Sequence, residues 1–171
     1  MFERLINYLL TGQDLKRRGK LRLIGHLIIR KMSKDGIWKP VEEIYGECIT
    51  RAFADLVVDR LHTAGNLNLF KWHEWGTGTT AEGENQPTLE TPTTEDRDEG
   101  TQAEGSATNI YRSVAEHTWG NTYTLSEWGI FSASITATGT MGDRAKLTNT
   151  VSVVSGDKTQ SDYQLTVTPG G

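Results

Sequence analysis

The feature that most limits the fold of this chain is a recurring two-residue alternation broken by polar turns. In the last such run Tyr163, Leu165 and Val167 alternate with Gln164 and Thr166. That period places one face in a core and the other in water, which is the pattern of a half-buried strand. The stretches 109–119, 121–138 and 146–154 are similarly rich in strand formers. The segment 121–138 reads as one bent strand or two. Earlier, residues 20–32 carry Leu21, Leu23, Leu27 and Ile29 in one register, and Asp35-Gly36 supplies a turn. Residues 37–47 return as a strand, and Pro40 argues for a sheet edge. Residues 66–75 are also strand-like.

One segment departs from this period. Phe53, Leu56, Val57 and Leu61 share a helical face, Thr50 can cap it and Gly65 can end it, so a helix is expected over about 50–62. Many short strands, polar turns and a single helix predict a mainly β chain. The expected form is an antiparallel β-sandwich or jelly-roll-like domain with one α-helix and an N-terminal helical, basic arm. With 171 residues there is room for one body, residues 21–171, and an arm at 1–20. In the arm Phe2, Leu5, Ile6 and Leu9 follow helical spacing. So short a helix is marginal alone and needs a surface to dock on. Residues 76–108 have few large apolar side chains and predict a long acidic loop.

Charge is unevenly spread. Lys16, Arg17, Arg18, Lys20, Arg22, Arg30 and Lys31 crowd one segment. Glu82, Glu84, Glu90, Glu95, Asp96, Asp98, Glu99 and Glu104 crowd another. These can complement each other between subunits or form two solvated surfaces. The net charge of −4 gives no global attraction to nucleic acid, although the basic segment alone could meet a polyanion. The one cysteine, Cys48, excludes an internal disulfide and a cysteine-based zinc site. The apolar stretch 21–29 is too short to span a bilayer, and the N-terminus lacks the basic lead of a signal peptide. The expectation is synthesis in a cytoplasm and no membrane.

Residues 76–81 spell Gly-Thr-Gly-Thr-Thr-Ala, one form of the dinucleotide fingerprint. The fingerprint requires a following helix whose N-terminus holds the pyrophosphate. Gly83, Pro87 and Pro92 deny it one, and no lysine follows as in a Walker loop. His73-Glu74 begins a zincin motif, but Thr77 stands at the second histidine position. Asp96, Asp98 and Glu99 open like a calcium loop, yet Gly100 is misplaced and no closing glutamate follows. His26, His62, His73 and His117 are scattered, and Ser106 and Ser126 have no evident histidine partner. No catalytic, cofactor or metal residue is therefore assigned, and an enzyme is not expected. Tryptophan is favoured at interface centres. Of the five tryptophans, Trp72, Trp75, Trp119 and Trp128 are the candidate interface or glycan-stacking residues, with core packing as the alternative. On a regular strand Trp72 and Trp75 point to opposite faces.

In order along the chain, "GTGTTA" at 76–81, "TLETP" at 88–92, "GTQAEG" at 100–105, "NIYRSVAEHTW" at 109–119, "LSEWGIFSAS" at 125–134, "GDRAKLTNTVSVVSGD" at 142–157 and "YQLTVTPGG" at 163–171 resemble a group of small virion proteins of tailed bacteriophages. The shared elements include Glu127 to Phe131, Asp143-Arg144 and Gly156-Asp157. The resemblance extends to the helix at 50–62 and is weak before residue 20. It implies a bacteriophage capsid decoration, or cement, protein located on the virion. Its partners would be the major capsid protein and neighbouring copies of itself, as a dimer or trimer. The arm residues Phe2, Leu5, Ile6, Leu9, Lys16, Arg17, Arg18 and Lys20 would join the tryptophans as interface candidates. The alternative is a tail-associated or adaptor protein that touches host-surface glycans.

Overall fold

The computed structural model describes residues 22–45, 48–53, 57 and 70–168; the side chains of Arg22 and Cys48 lie outside that description. Ten strands follow in order: β1 (Arg22–Met32), β2 (Trp38–Tyr45), β3 (Cys48–Ile49), β4 (Trp72–Gly76), β5 (Asp98–Glu99), β6 (Thr101–Glu104), β7 (Ile110–Thr118), β8 (Tyr123–Phe131), β9 (Met141–Val153) and β10 (Lys158–Thr168). They form two five-stranded sheets, β2-β1-β10-β7-β6 and β3-β9-β8-β4-β5. Every pairing is antiparallel. The chain is thus a β-sandwich, as its alternation predicts.

Alternation decides which residues enter the core. From the first sheet Leu27, Ile29, Tyr163 and Leu165 are buried. From the second, Trp75, Leu125, Trp128, Ile130, Ala145, Leu147, Val151 and Val153 meet them. Burying side chains of this size stabilises the fold by roughly 1.5–3 kcal/mol each. The edge position of β2 agrees with Pro40, and a bulge opposite Ile29/Arg30 breaks its ladder. Proline and bulges are devices that stop a sheet edge from recruiting further strands. The turn at 33–36 has Gly36 at φ 78°, the left-handed conformation that glycine adopts without cost.

Three expectations change in detail. The segment 121–138 yields one strand, β8, and then a compact turn over 132–140. Strand β9 begins at Met141, five residues before the stretch legible as strand. Residues 76–108 are not one irregular loop. They contain β5 and β6, and the chain crosses from one sheet to the other at Gly100. A Cβ there would lie 2.2 Å from Ser113 Oγ, so the crossing depends on glycine.

The helix is described only at 51–53 and 57. Its cap is as expected: the Phe53 N–H donates to Thr50 Oγ1 at 3.1 Å. The rest of the expected helix, including Leu56, Leu61 and Gly65, lies outside the described residues. So does the arm, with Phe2, Leu5, Ile6, Leu9, Lys16, Arg17, Arg18 and Lys20.

Candidate functional site

The glycine-rich turn after β4 lies on the outer face of the second sheet. Strand parity explains why. Trp75, Trp128 and Ala145 point into the sandwich, so their neighbours Gly76, Glu127 and Arg144 point out of it. The outward residues are nevertheless buried, Glu127 at 0% and Arg144 at 1% exposure, because residues 77–97 fold over them. The Glu127 carboxylate accepts three loop amides: Gly78 N–H at 3.0 Å, Thr91 N–H at 2.7 Å and Glu90 N–H at 3.0 Å. Arg144 donates to the same carboxylate from Nε at 2.9 Å, with Nη2 at 2.8 Å. Its remaining hydrogens reach Gln86 Oε1 at 2.9 Å and the Ala81 and Thr80 carbonyls at 3.3 Å. Glu82 accepts the Lys146 N–H at 2.7 Å, a further tie between loop and sheet.

This geometry accounts for the fingerprint-like glycines. A Cβ at Gly76 or Gly78 would lie 2.5 or 2.4 Å from Glu127 Oε1. The small residues let backbone amides close on an anion, which is the same physical need that a phosphate loop has. Here the anion is the chain's own carboxylate.

A second ion pair holds the far end of the covering segment. Arg97 has a side chain 0% exposed and donates from Nη2 to Glu74 Oε2 at 3.0 Å. Its Nη1 donates to three carbonyls of the β8–β9 turn: Ala133 at 2.8 Å, Ile135 at 3.1 Å and Thr138 at 2.9 Å. The guanidinium also lies 3.6 Å from the Phe131 ring centroid. Between these two clamps Leu89, Phe131 and Met141 form a small apolar cluster.

Other buried titratable groups include His73, Asp143 and His117. His73, inside the sandwich, shares hydrogen bonds with Ser161 Oγ at 2.7 Å and Ser113 Oγ at 2.8 Å. Burial pushes its pKa down to about 3, only partly offset by Asp162, so the ring is neutral near pH 7. Asp143 Oδ2 accepts the Tyr163 hydroxyl at 2.9 Å, while Oδ1 has no protein partner. Burial raises its pKa to about 7. His117 Nδ1 lies 2.8 Å from Asp98, whose pKa burial raises, and His117 Nε2 is buried without a protein partner. His73 and Asp143 are both 0% exposed. Beside Tyr163, an apolar cavity of about 280 Å³ opens between the sheets, lined among others by Leu23, Phe53, Phe70, Tyr111 and Ile130. Among the described residues no group of three or more His, Cys, Asp or Glu is placed to hold a metal ion, and no helix is long and apolar enough to cross a membrane.

For three of the four candidate tryptophans core packing holds and the interface reading is corrected. Trp75, Trp119 and Trp128 are 3%, 1% and 0% exposed and form the aromatic centre of the core. Trp75 meets Trp119 edge-on at 6.1 Å, and Trp128 lies 5.4 Å from Tyr163. Their area is worth more inside the sandwich than on its surface, so in this chain they offer no face to a partner or sugar. Trp72 does point opposite to Trp75, as parity requires. It is half-buried against the Leu89 cluster, with Lys71 5.6 Å from its ring centroid.

Sequence reasoning missed the two clamps and the turn they support. Glu127 is a charged residue inside an otherwise strand-like stretch, the one hint that a second layer neutralises it, whereas Arg144 precedes the stretch legible as strand. No family model matches the chain, and neither a curated protein nor a solved structure matches it.

Proposed function

We propose that this chain is a structural protein of a tailed-bacteriophage particle and that it decorates the assembled head. It would be made in the host cytoplasm and bind the major capsid protein and neighbouring copies of itself, as a dimer or trimer. The observation that carries this reading is where the resembling motifs fall. Gly76 and Gly78, the "TLETP" segment, Glu127 and the Asp143-Arg144 pair are distant in sequence, and all but Asp143 take part in one clamp. In this chain, then, the resembling motifs are the ones that build the cover over the sandwich. A small covered β body suits a protein that sits on a shell. Contacts that are weak singly become firm when many copies engage an ordered lattice.

Copy number tests the proposal. Quantitative mass spectrometry of purified virions would give a ratio to the major capsid protein within a small factor of one. A handful of copies per particle favours the tail or adaptor alternative, in which Trp72 is the one half-exposed candidate for glycan stacking among the four tryptophans named. Absence from particles refutes both.

A further inference from the structure

The β8–β9 turn, residues 132–140, is built unlike the other turns of the body. Its tip shows Ile135 at 68% exposure, the highest of the exposed large hydrophobic side chains among the described residues. A lone exposed aliphatic residue is ordinary. What sets this one apart is the support beneath it. Buried Arg97 donates to three carbonyls of the turn, including that of Ile135 itself. The Thr138 N–H and hydroxyl both return to the Ile135 carbonyl, at 3.1 and 2.6 Å. Ser132 and Thr140 close the base, the Ser132 N–H donating to the Thr140 carbonyl at 3.0 Å and the Thr140 N–H to Ser132 Oγ at 2.8 Å. Ala137 is held at φ 63°, the only non-glycine residue with positive φ among the described residues. Alanine is strained in this conformation, and strain of this sort collects at ligand-gripping segments.

We propose that turn 132–140 is a preformed protein–protein contact in which Ile135 is the anchor, and that its partner is an apolar pocket in an uncharged patch of the shell subunit on which the chain sits. The proposal rests on the reading of the chain as a particle component. The composition of the turn selects the partner. From Ser132 to Thr140 there is no charged residue, in a chain that is 23% charged. Phosphate backbones and anionic headgroups are recognised by cations, which the turn lacks. One aliphatic side chain is too little to enter a bilayer interface. A fixed tip with a single aliphatic anchor and a fringe of hydroxyls fits a shallow apolar pocket whose rim offers hydrogen-bonding groups. Rigidity lowers the entropic cost of binding, and repetition over a shell compensates for a small contact.

The test uses particles purified from a phage lacking this gene, incubated with full-length protein and sedimented. Wild-type protein should co-sediment, and Ile135→Asp should bind at least tenfold more weakly with an unchanged thermal midpoint. Ile37→Asp is the control, because Ile37 is 57% exposed in the β1–β2 turn at the opposite end of the sandwich. It should bind like wild type. Equal binding by Ile135→Asp, or equal loss from both variants, overturns the anchor alone. Failure of the wild-type protein to bind overturns the particle reading and the anchor with it.

Discussion

Asp143 and His73 both sit uncharged inside the sandwich, and folding is linked to proton binding at each. Folded Asp143 keeps its proton up to about pH 7, against an ordinary value of 3.8. Between these values the unfolded chain is ionised and the folded chain is not, so stability falls as pH rises through the window. At about 1.4 kcal/mol per unit the loss is on the order of 4 kcal/mol. His73 works in the other direction. Its folded value of about 3 lies below 6.5, so stability falls as pH drops through that range. From pH 3.8 to 6.5 the two slopes cancel. Asp143→Asn removes only the first and exposes the second. The variant should gain several kcal/mol relative to wild type between pH 4 and 7.5, read by urea denaturation at both values. Parallel profiles would show that Asp143 is ionised in the fold.

The glycines differ in the room they leave for a side chain. A Cβ at Gly78 would meet Glu127 Oε1 at 2.4 Å and Glu90 Cβ at 2.6 Å, whereas at Gly83 the nearest atom is 3.8 Å away. Gly78→Ala should destabilise by about 1–3 kcal/mol through overpacking, and Gly83→Ala should change little. Equal urea midpoints for the two variants would remove the close-approach explanation of the glycine-rich turn.

Among the elements, the segment over the second sheet behaves as a third layer without regular structure of its own. Its hold comes from Glu127, Arg144, Glu74 and Arg97. Arg144→Met leaves the Glu127 carboxylate buried against amides alone and should cost about 3–5 kcal/mol. Adding Glu127→Gln to that variant should recover part of the loss, because the uncompensated charge is then gone. Limited proteolysis supplies the local readout: cleavage of Arg144→Met should begin within 77–97. First cuts elsewhere would mean that the apolar Leu89 cluster is enough to hold the layer. This layer was the least legible part of the sequence. Strands β1 and β10 announce themselves because Leu27 and Ile29, or Tyr163 and Leu165, repeat at the period of a strand. Residues 77–97 have no period, and their partners are strand side chains up to 64 residues away. Composition alone makes such a segment look solvated. The tryptophans were ambiguous for a different reason. Parity separates Trp72 from Trp75, but alternation alone does not say which of the two faces meets the other sheet.

For the whole molecule, the decisive contact joins the two ends of the described body. Strand β1 pairs with β10 along ten residue pairs, from Arg22↔Thr168 to Lys31↔Thr159. The two strands sit side by side inside the first sheet. Loop closure of that length must precede the reward of the contact, so folding should be slow for a chain of this size, in the millisecond-to-second range. The same adjacency predicts tolerance of circular permutation. A flexible linker from Thr168 to Arg22 would join partners already side by side. New termini can open between Lys34 and Asp35, both exposed in the β1–β2 turn. Such a permutant should fold cooperatively, with a near-ultraviolet circular dichroism spectrum matching wild type and a thermal midpoint a few degrees lower. Its folding rate should rise, because β1 and β10 become neighbours in sequence. An unchanged rate would mean that another pairing, such as β8 with β9, limits folding. Loss of the cooperative transition would mean that the β1–β2 connection is required to set the sheet edge.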